Sequence, residues 1–565
     1  MDDKNFQMGI RERAVTAAVV DDADLDIRNS NDVADMARLG KKQQLGDMAY
    51  GCAVVERALD DTQKIHHATD RHDLTMLIDY RQVFKRNFNY LSVFGWISIY
   101  MATWEFVLVS LAIGLSNGGF AGLFWTFIGT VICYSSVVLS LAEMASMAPT
   151  AGGQYHWTSE FAPPSCQKFL SYCAGWMSTL GWFASTASSV FVCTTLIQSL
   201  VGVRDEQYAF SNWQYTLLML AFLAVTILFN TLGSGSLPLI ETISLFGHVG
   251  GFFVTIIPIW IMAPKNSASD VFTSFSSTSG WNLGAACLVT QVSILYCNLG
   301  SDSIVHIAEE VNNASVTVPR VMWWSYVLNA TLGFVALITM LFCIGSLDDA
   351  INSESPYLQL FLNTGSHAVA YVLLILLFLL IYSGNITCLA TASREVFAFS
   401  RDKGFPFSHL WSKMNKKRHV PDNAVYITSI VSGIICLINL GSTIGFNIVV
   451  SLNLLALMST YSLSIGCITL KRLRGEPLPP ARWSLGRYGL PINVFGFFYS
   501  LFAVVLSCFP AYVPTDTSSA NWAPAVWGAV AILSVVTYFL HGRKHYTPPV
   551  VFVEGKRVGG LQGTE

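Results

Sequence analysis

The chain reads as an all-α integral membrane protein, a bundle of about twelve transmembrane helices, and three observations lead there. Of its 565 residues, 53% are hydrophobic and only 12% are charged, where a soluble domain carries roughly a quarter charged. Long stretches hold no ionised side chain: none lies between Glu105 and Glu143, Lys168 and Arg204, Glu206 and Glu241, Arg320 and Asp348, or Asp422 and Lys471. Each apolar run also approaches the roughly 20 residues that a helix needs to cross a bilayer. Runs so long and continuous are not ten-residue alternating strands, and only helices and closed barrels satisfy the backbone in lipid, so the spans are expected to be helices.

Taken in order, the spans fall near residues 92–115, 119–142, 169–200, 213–232, 240–262, 284–305, 321–345, 367–392, 424–440, 446–470, 490–510 and 523–541. The polar residues 1–88 lack the apolar core of a signal peptide and read as a largely disordered cytosolic tail; 89–541 form the membrane domain and 542–565 a cytosolic C-terminal tail. Lysine and arginine accumulate in cytosolic loops. Arg81, Lys85 and Arg86, the run from Arg394 to Arg418, the run from Lys471 to Arg487, and Arg543 with Lys544 share one face, while the other offers Arg204 and Lys265. Both termini are therefore expected in the cytosol. The sequons at Asn313, Asn329 and Asn385 then fall in cytosolic or membrane positions, and no glycan is expected on them.

Several function classes are excluded. A net charge of −3 with scattered basic residues gives no nucleic-acid footprint. The cysteines lie almost all in apolar stretches with no CxxC pair, so neither a disulfide framework nor a zinc site is expected. No His or Asp cluster has metal-binding or nucleophile spacing, so no metal, no cofactor and no enzyme activity are expected. The Gly152-Gly153 turn lacks the GxxxxGK[ST] pattern, which leaves ATP-driven transport unsupported.

Connections narrow the architecture. The link between the sixth and seventh spans, Glu309 to Arg320, is short, and the long basic loop follows the eighth. This spacing fits a five-plus-five inverted repeat with two added C-terminal helices, in which the first and sixth spans are discontinuous, better than two six-helix halves.

At this point the residues resemble a known family. The run Ser146-Met147-Ala148-Pro149-Thr150-Ala151-Gly152-Gly153-Gln154-Tyr155-His156-Trp157 is similar to the loop after the second span in the amino acid–polyamine–organocation superfamily. Gly300-Ser301-Asp302-Ser303-Ile304-Val305-His306-Ile307-Ala308-Glu309-Glu310, followed by Val318-Pro319-Arg320, resembles its sixth helix and exit; Ser393-Arg394-Glu395 with Gly404 and Pro406 beyond resembles the loop after its eighth span. The nearest likeness is to fungal amino acid/choline permeases, covering about residues 85–541. The resemblance implies a LeuT-like secondary active transporter for amino acids or related amines such as 4-aminobutyrate, choline or polyamines, working by alternating access with proton coupling, in the plasma membrane rather than the vacuole. Its partners would be a small zwitterionic or cationic substrate, a proton and the lipid bilayer. A non-transporting nutrient receptor or a channel of the same fold would look alike.

Site candidates follow from residues that are costly in lipid. Glu105 lies within the first span; an ionised acid at a bilayer centre costs about 2.5 to 3.5 kcal/mol on insertion scales, so it should face protein, a partner or a cation. Ala102, Thr103, Trp104 and Glu105 occupy the place where the resemblance implies an unwound segment, whose freed backbone groups can bind cargo. Glu105 could serve as counter-ion, as proton acceptor, or as a packing carboxylate bonded to a neighbouring helix. Tyr296, Asn298 and Gly300 mark the expected break in the sixth span, with Gly300 either permitting it or merely allowing close helix packing. His248, on the fifth span, is a candidate proton carrier with Glu105 or else a histidine satisfied by backbone. Trp182, beside Phe183 on the third span, could join Trp104 in an aromatic wall around a cation. Asp302, Glu309 and Glu310, with His306, fall at helical spacing near the cytosolic end and read equally as a gate or as a solvated helix end.

Overall fold

The computed structural model describes residues 90–550 apart from 206–208, 354, 416, 442–444 and 518, together with a short antiparallel pair, Phe552–Val553 with Lys556–Arg557. The tail expected over residues 1–88 and most of the tail beyond 550 lie outside the described residues. Among the described residues, twelve helices are long and apolar enough to cross a membrane: Tyr90–Ser110, Gly114–Met147, Gln167–Gly202, Asn212–Thr231, Ser234–Met262, Leu283–Glu310, Ala314–Cys343, His367–Arg401, Asp422–Gly441, Gly445–Leu473, Gly486–Leu506 and Ala523–His545. The protein is all-α and membrane-spanning, as its apolar runs predict.

Burial sorts the spans into an inner and an outer set. In the most apolar windows of the first, third and tenth spans, 83%, 78% and 89% of residues are buried, against 11% in the twelfth. The first span packs on the fifth, seventh and eighth; the third packs on the eighth and tenth; the second packs on the sixth and seventh. Exposed Leu, Ile and Phe on the outer spans, such as Leu232, Ile261 and Leu540, present the apolar surface that lipid requires. A short helix, Gly153–Phe161, joins the second and third spans and is wholly buried, so this connection is part of the core. It lies at the end of the bundle that holds the loops after the eighth and tenth spans, called below the basic end. Asn329 and Asn385 are buried within the seventh and eighth spans, out of reach of glycosylation.

The two expected breaks are present. The first span divides at Ala102, whose backbone is left-handed (φ 40°, ψ 44°), into Tyr90–Met101 and Thr103–Ser110. The interruption is narrower than the unwound segment the resemblance implies, because Ala102 still donates to Ser98 O and accepts from Phe106 N, both at 2.9 Å. The sixth span stops at Asn298, turns through extended Leu299 and Gly300 at φ +104°, and resumes as a tighter 3₁₀ segment, Ser303–Glu310. Gly300 is there for both reasons weighed from the sequence. Its φ is one that side chains resist, and a Cβ on it would lie 1.8 Å from Tyr100 Cε1 on the first span. The break and the close approach of the two broken helices thus depend on one hydrogen atom.

Replacing Gly300 by alanine is expected to destabilise the protein by more than about 2 kcal/mol, from backbone strain plus overpacking. Thermal unfolding in detergent checks this, and Tyr100→Ala in the same chain should relieve only the clash, leaving the strain.

Candidate functional site

Both breaks open on one small cavity midway along the bundle. It is lined by Tyr100, Met101 and Phe106 of the first span, Ser185, Ser188 and Ser189 of the third, Tyr296 and Leu299 of the sixth, Ile381 and Gly384 of the eighth, and Asn453 of the tenth. Its open room is about 20 Å³, enough for about one water. As it stands the cavity is too small for cargo. Tyr100 Oη and Ser185 Oγ lie 2.6 Å apart across it, while Asn453 Oδ1 is buried without a hydrogen-bond partner. Helix ends of both signs meet there: the carbonyl ends of Tyr90–Met101 and Leu283–Asn298, and the amide end of Thr103–Ser110. The freed amide of Thr103 is capped at 3.1 Å by Asn329 Oδ1 of the seventh span, a partner that an isolated Asn in an apolar run does not reveal.

The sequence-derived candidates distribute unevenly around this cavity. Tyr296 lines it, and Ala102 and Gly300 make the breaks beside it. Asn298 is buried at the end of the sixth span's first half, its amide donating to Ile294 O at 2.8 Å. Thr103 faces the seventh span, close to Gly333. Trp104 and Glu105 turn toward the fifth span instead: Trp104 Nε1 donates to His248 O at 3.2 Å, and Glu105 Oε1 lies 2.7 Å from His248 Nδ1. Both charged side chains are fully buried, and Glu105 Oε2 and His248 Nε2 have no further partner. The aromatic wall of Trp104 with Trp182 is not assembled, because Trp104 packs on Phe252 and His248, whereas Trp182 packs on Tyr100 and His306, with ring centroids 5.3 and 5.1 Å away. The two tryptophans sit on helices that face different neighbours.

At the basic end, Asp302, His306, Glu309 and Glu310 are all buried, so this stretch is no solvated helix end. Arg401 of the eighth span grips Glu309 with both guanidinium nitrogens, at 2.7 and 2.9 Å, and Arg394 bonds Glu310 at 2.6 Å while stacking over Trp96. Asp302 accepts from Tyr461 Oη at 2.6 Å and from the side-chain amide of Gln154. His306 Nδ1 lies 3.0 Å from Ala151 O and 3.0 Å from Glu395 Oε2. The glycine pair after the second span explains its own place here: Gly153 has φ +49°, and a Cβ on it would come within 2.9 Å of the His306 ring. Spans six, eight and ten and the buried connecting helix are thereby tied into one polar plug. The other end is thinner, an aromatic layer in which Tyr296 meets Phe106 and Phe446, and Phe446 meets Phe191, at centroid distances of 5.4, 5.9 and 5.1 Å. The groove between cavity and basic end is thus sealed by ions, and the opposite side by rings.

Outside the membrane spans, Tyr155 donates to Asp402 Oδ2 at 2.9 Å, and burial is the main cause holding its phenol well above the usual tyrosine value. Among the described residues no group of three or more His, Cys, Asp or Glu could hold a metal ion.

Comparison with known proteins agrees with this geometry. A family model described as amino acid permease matches residues 88–530. An uncharacterised amino-acid permease of Schizosaccharomyces pombe is 29% identical, covering 86% of this chain and 91% of the relative. Amino-acid permease 2 of Neurospora crassa is 27% identical, over 84% and 88%, and amino-acid permease BAT1 of Arabidopsis thaliana is 27% identical, over 84% and 95%. Among solved structures, a manganese transporter of Eremococcus coleocola superposes with a TM-score of 0.51 at 12% identity, covering 81% of this chain and 95% of that one, which shows a shared fold alone. A bundle with both broken spans in place, matched along most of its length, belongs to the amino acid permease family, and the chain is an integral membrane transporter of that family rather than an enzyme.

Proposed function

We propose that this permease is a secondary active, proton-coupled carrier of amino acids or related amines such as 4-aminobutyrate, choline or polyamines. The observation that supports it most is the pair of breaks facing each other across one small cavity. A zwitterion suits that chemistry: carbonyl ends of half-helices attract an ammonium, and the amide end at Thr103 attracts a carboxylate. Ala102, Thr103, Tyr296, Asn298 and Gly300 would surround the cargo, Trp182 would back Tyr100, and Asn453 offers an acceptor with no other use. Because Tyr100 and Phe106 close on the cavity from the first span, cargo must enter a wider state than this one. Purely cationic amines are disfavoured relative to zwitterions, since no carboxylate lines the cavity.

Glu105 and His248 serve best as the proton-carrying pair. Their contact at 2.7 Å joins the broken first span to the fifth, behind the cavity. A proton shared between them makes a neutral imidazole–acid or an ion pair; its removal leaves an anion in lipid-like surroundings, which is unfavourable. Proton occupancy therefore biases how the first span sits on the fifth. The basic end, by the distribution of arginine and lysine, is the cytosolic one, with Asp302, Glu309 and Glu310 as its gate. Both termini would then be cytosolic, and the plasma membrane is the expected location.

Uptake of radiolabelled candidates into proteoliposomes with an imposed pH gradient tests the reading. Saturable, uncoupler-sensitive accumulation with counterflow is expected; binding without flux would instead indicate a receptor. In Glu105→Gln, accumulation should fall by about 10- to 100-fold and lose its dependence on the gradient, as expected when about 1.4 to 2.7 kcal/mol of coupling is lost. Unchanged gradient dependence would remove Glu105 from the coupling. Arg394→Ala should destabilise the closed gate by about 3 to 5 kcal/mol by leaving Glu310 buried and unpaired, seen as a lower unfolding temperature, whereas removing Arg487, exposed beside Tyr488, should change it little.

A further inference from the structure

His306 is not needed by the reading above, yet it is buried at the centre of the plug. Ala151 O can only accept, so Nδ1 at 3.0 Å must bear a hydrogen. The other nitrogen, Nε2, then faces Asp302 Oδ2 at 4.0 Å with no hydrogen-bond partner. Without a proton on Nε2, a lone pair and a carboxylate oxygen confront each other in a buried site. Asp302 is arranged as an ionised acceptor, taking donors from Tyr461 and Gln154. Glu395 is fully buried, with Ser178 of the third span beside it and Oε2 3.0 Å from His306 Nδ1.

Among the described residues, no lysine or arginine is paired with these two acids. The eighth span brings Arg394 and Arg401, committed to Glu310 and Glu309. The tenth brings Tyr461, the third Trp182, the connecting helix Gln154 and Tyr155, the first Tyr100, and the second Tyr134. The seventh span offers Arg320, which is exposed. Among the described residues, Asp302, Glu309, Glu310, Glu395 and Asp402 thus share two guanidinium groups, and the His306 imidazolium is the cation placed between Asp302 and Glu395.

We propose that Asp302, His306 and Glu395 form a second proton-binding site, separate from the Glu105–His248 pair, and that the proton held there keeps the cytosolic gate shut. With Nε2 protonated, the imidazolium bridges Asp302 on the sixth span to Glu395 on the eighth and ties both to Ala151. Released to the cytosol, that proton leaves two buried carboxylates on opposite sides of the gate, whose repulsion and need for water favour separation. The inference rests on reading the basic end as the gate of a transporter that opens to the cytosol.

Cys388 reports that opening. It is buried on the eighth span, against Thr186 and two helical turns from Glu395 toward the cavity. Inside-out vesicles holding the full chain would be treated with a membrane-impermeant maleimide between about pH 5.5 and 8, the range where histidine ordinarily titrates. Labelling of the Cys388 peptide is read by mass spectrometry and divided by its rate in unfolded protein at the same pH. In the native chain the normalised rate should rise with pH, toward the limit of about tenfold per pH unit for release of one proton. His306→Gln and Glu395→Gln should each flatten that rise, while Arg487→Gln, exposed and outside both sites, should preserve it. A native chain without the rise, or a folded His306→Gln or Glu395→Gln variant that keeps it, would overturn the proposal; if His306→Gln fails to fold, Glu395→Gln decides alone. Since no flux is measured, failure of transport with an intact pH-dependent gate would remove only the permease mechanism, and transport with pH-independent labelling would remove only this site.

Discussion

Lipid supplies no hydrogen-bond donor, acceptor or counter-ion, and everything distinctive in this protein answers to that constraint. A helix broken in the membrane exposes peptide groups that need partners from inside the bundle. The break at Ala102 is minimal for that reason: helical hydrogen bonds run across it to Ser98 and Phe106, and Asn329 takes the amide of Thr103. Buried acids obey the same rule. Glu105 finds His248, Glu309 finds Arg401, Glu310 finds Arg394, and Glu143 finds Arg472. Each pairing joins two spans, so the charges that lipid penalises become the contacts that set how the spans sit.

Much of this was legible in the sequence, and the reason is the strength of the signal. Spans were readable because charge is nearly absent within them, the broken pair followed from the loop lengths and the family resemblance, and Gly300 located the break in the sixth span. Glu105 and His248 stood out as costs requiring a partner, and they partner each other. What stayed hidden depends on which way a helix faces. Trp104 and Trp182 are equally aromatic, yet one packs on the fifth span and the other on the sixth, and apolar spans carry too weak a pattern to say so. Gln154, Tyr461, Glu395 and Asn329 were invisible for a related cause: each acts on a residue far away in the sequence, and nothing local marks its partner. Nor did the helical spacing of residues 302–310 survive, since the tighter 3₁₀ turn realigns that segment.

The closures at the two ends differ in kind. Aromatic rings at the Tyr296 side can slide apart at the cost of packing alone, whereas the plug at the basic end needs charges to be separated or neutralised first. Such asymmetry makes the ionic end the natural place for a proton to act and the aromatic end the natural place for cargo to arrive. It also explains why so small a cavity lies between them: both doors are shut, and the room for cargo must come from the first and sixth spans moving on their neighbours.

The central claim is that the interruptions at Ala102 and Gly300 together hold the cargo. A cryo-electron microscopy structure of the protein in lipid nanodiscs at saturating concentration of a transported amino acid tests it most directly. The account predicts solute density between Met101–Thr103 and Asn298–Ser301, with both spans broken. Continuous helices at those positions, or solute bound elsewhere with the interval between the breaks empty, would contradict it.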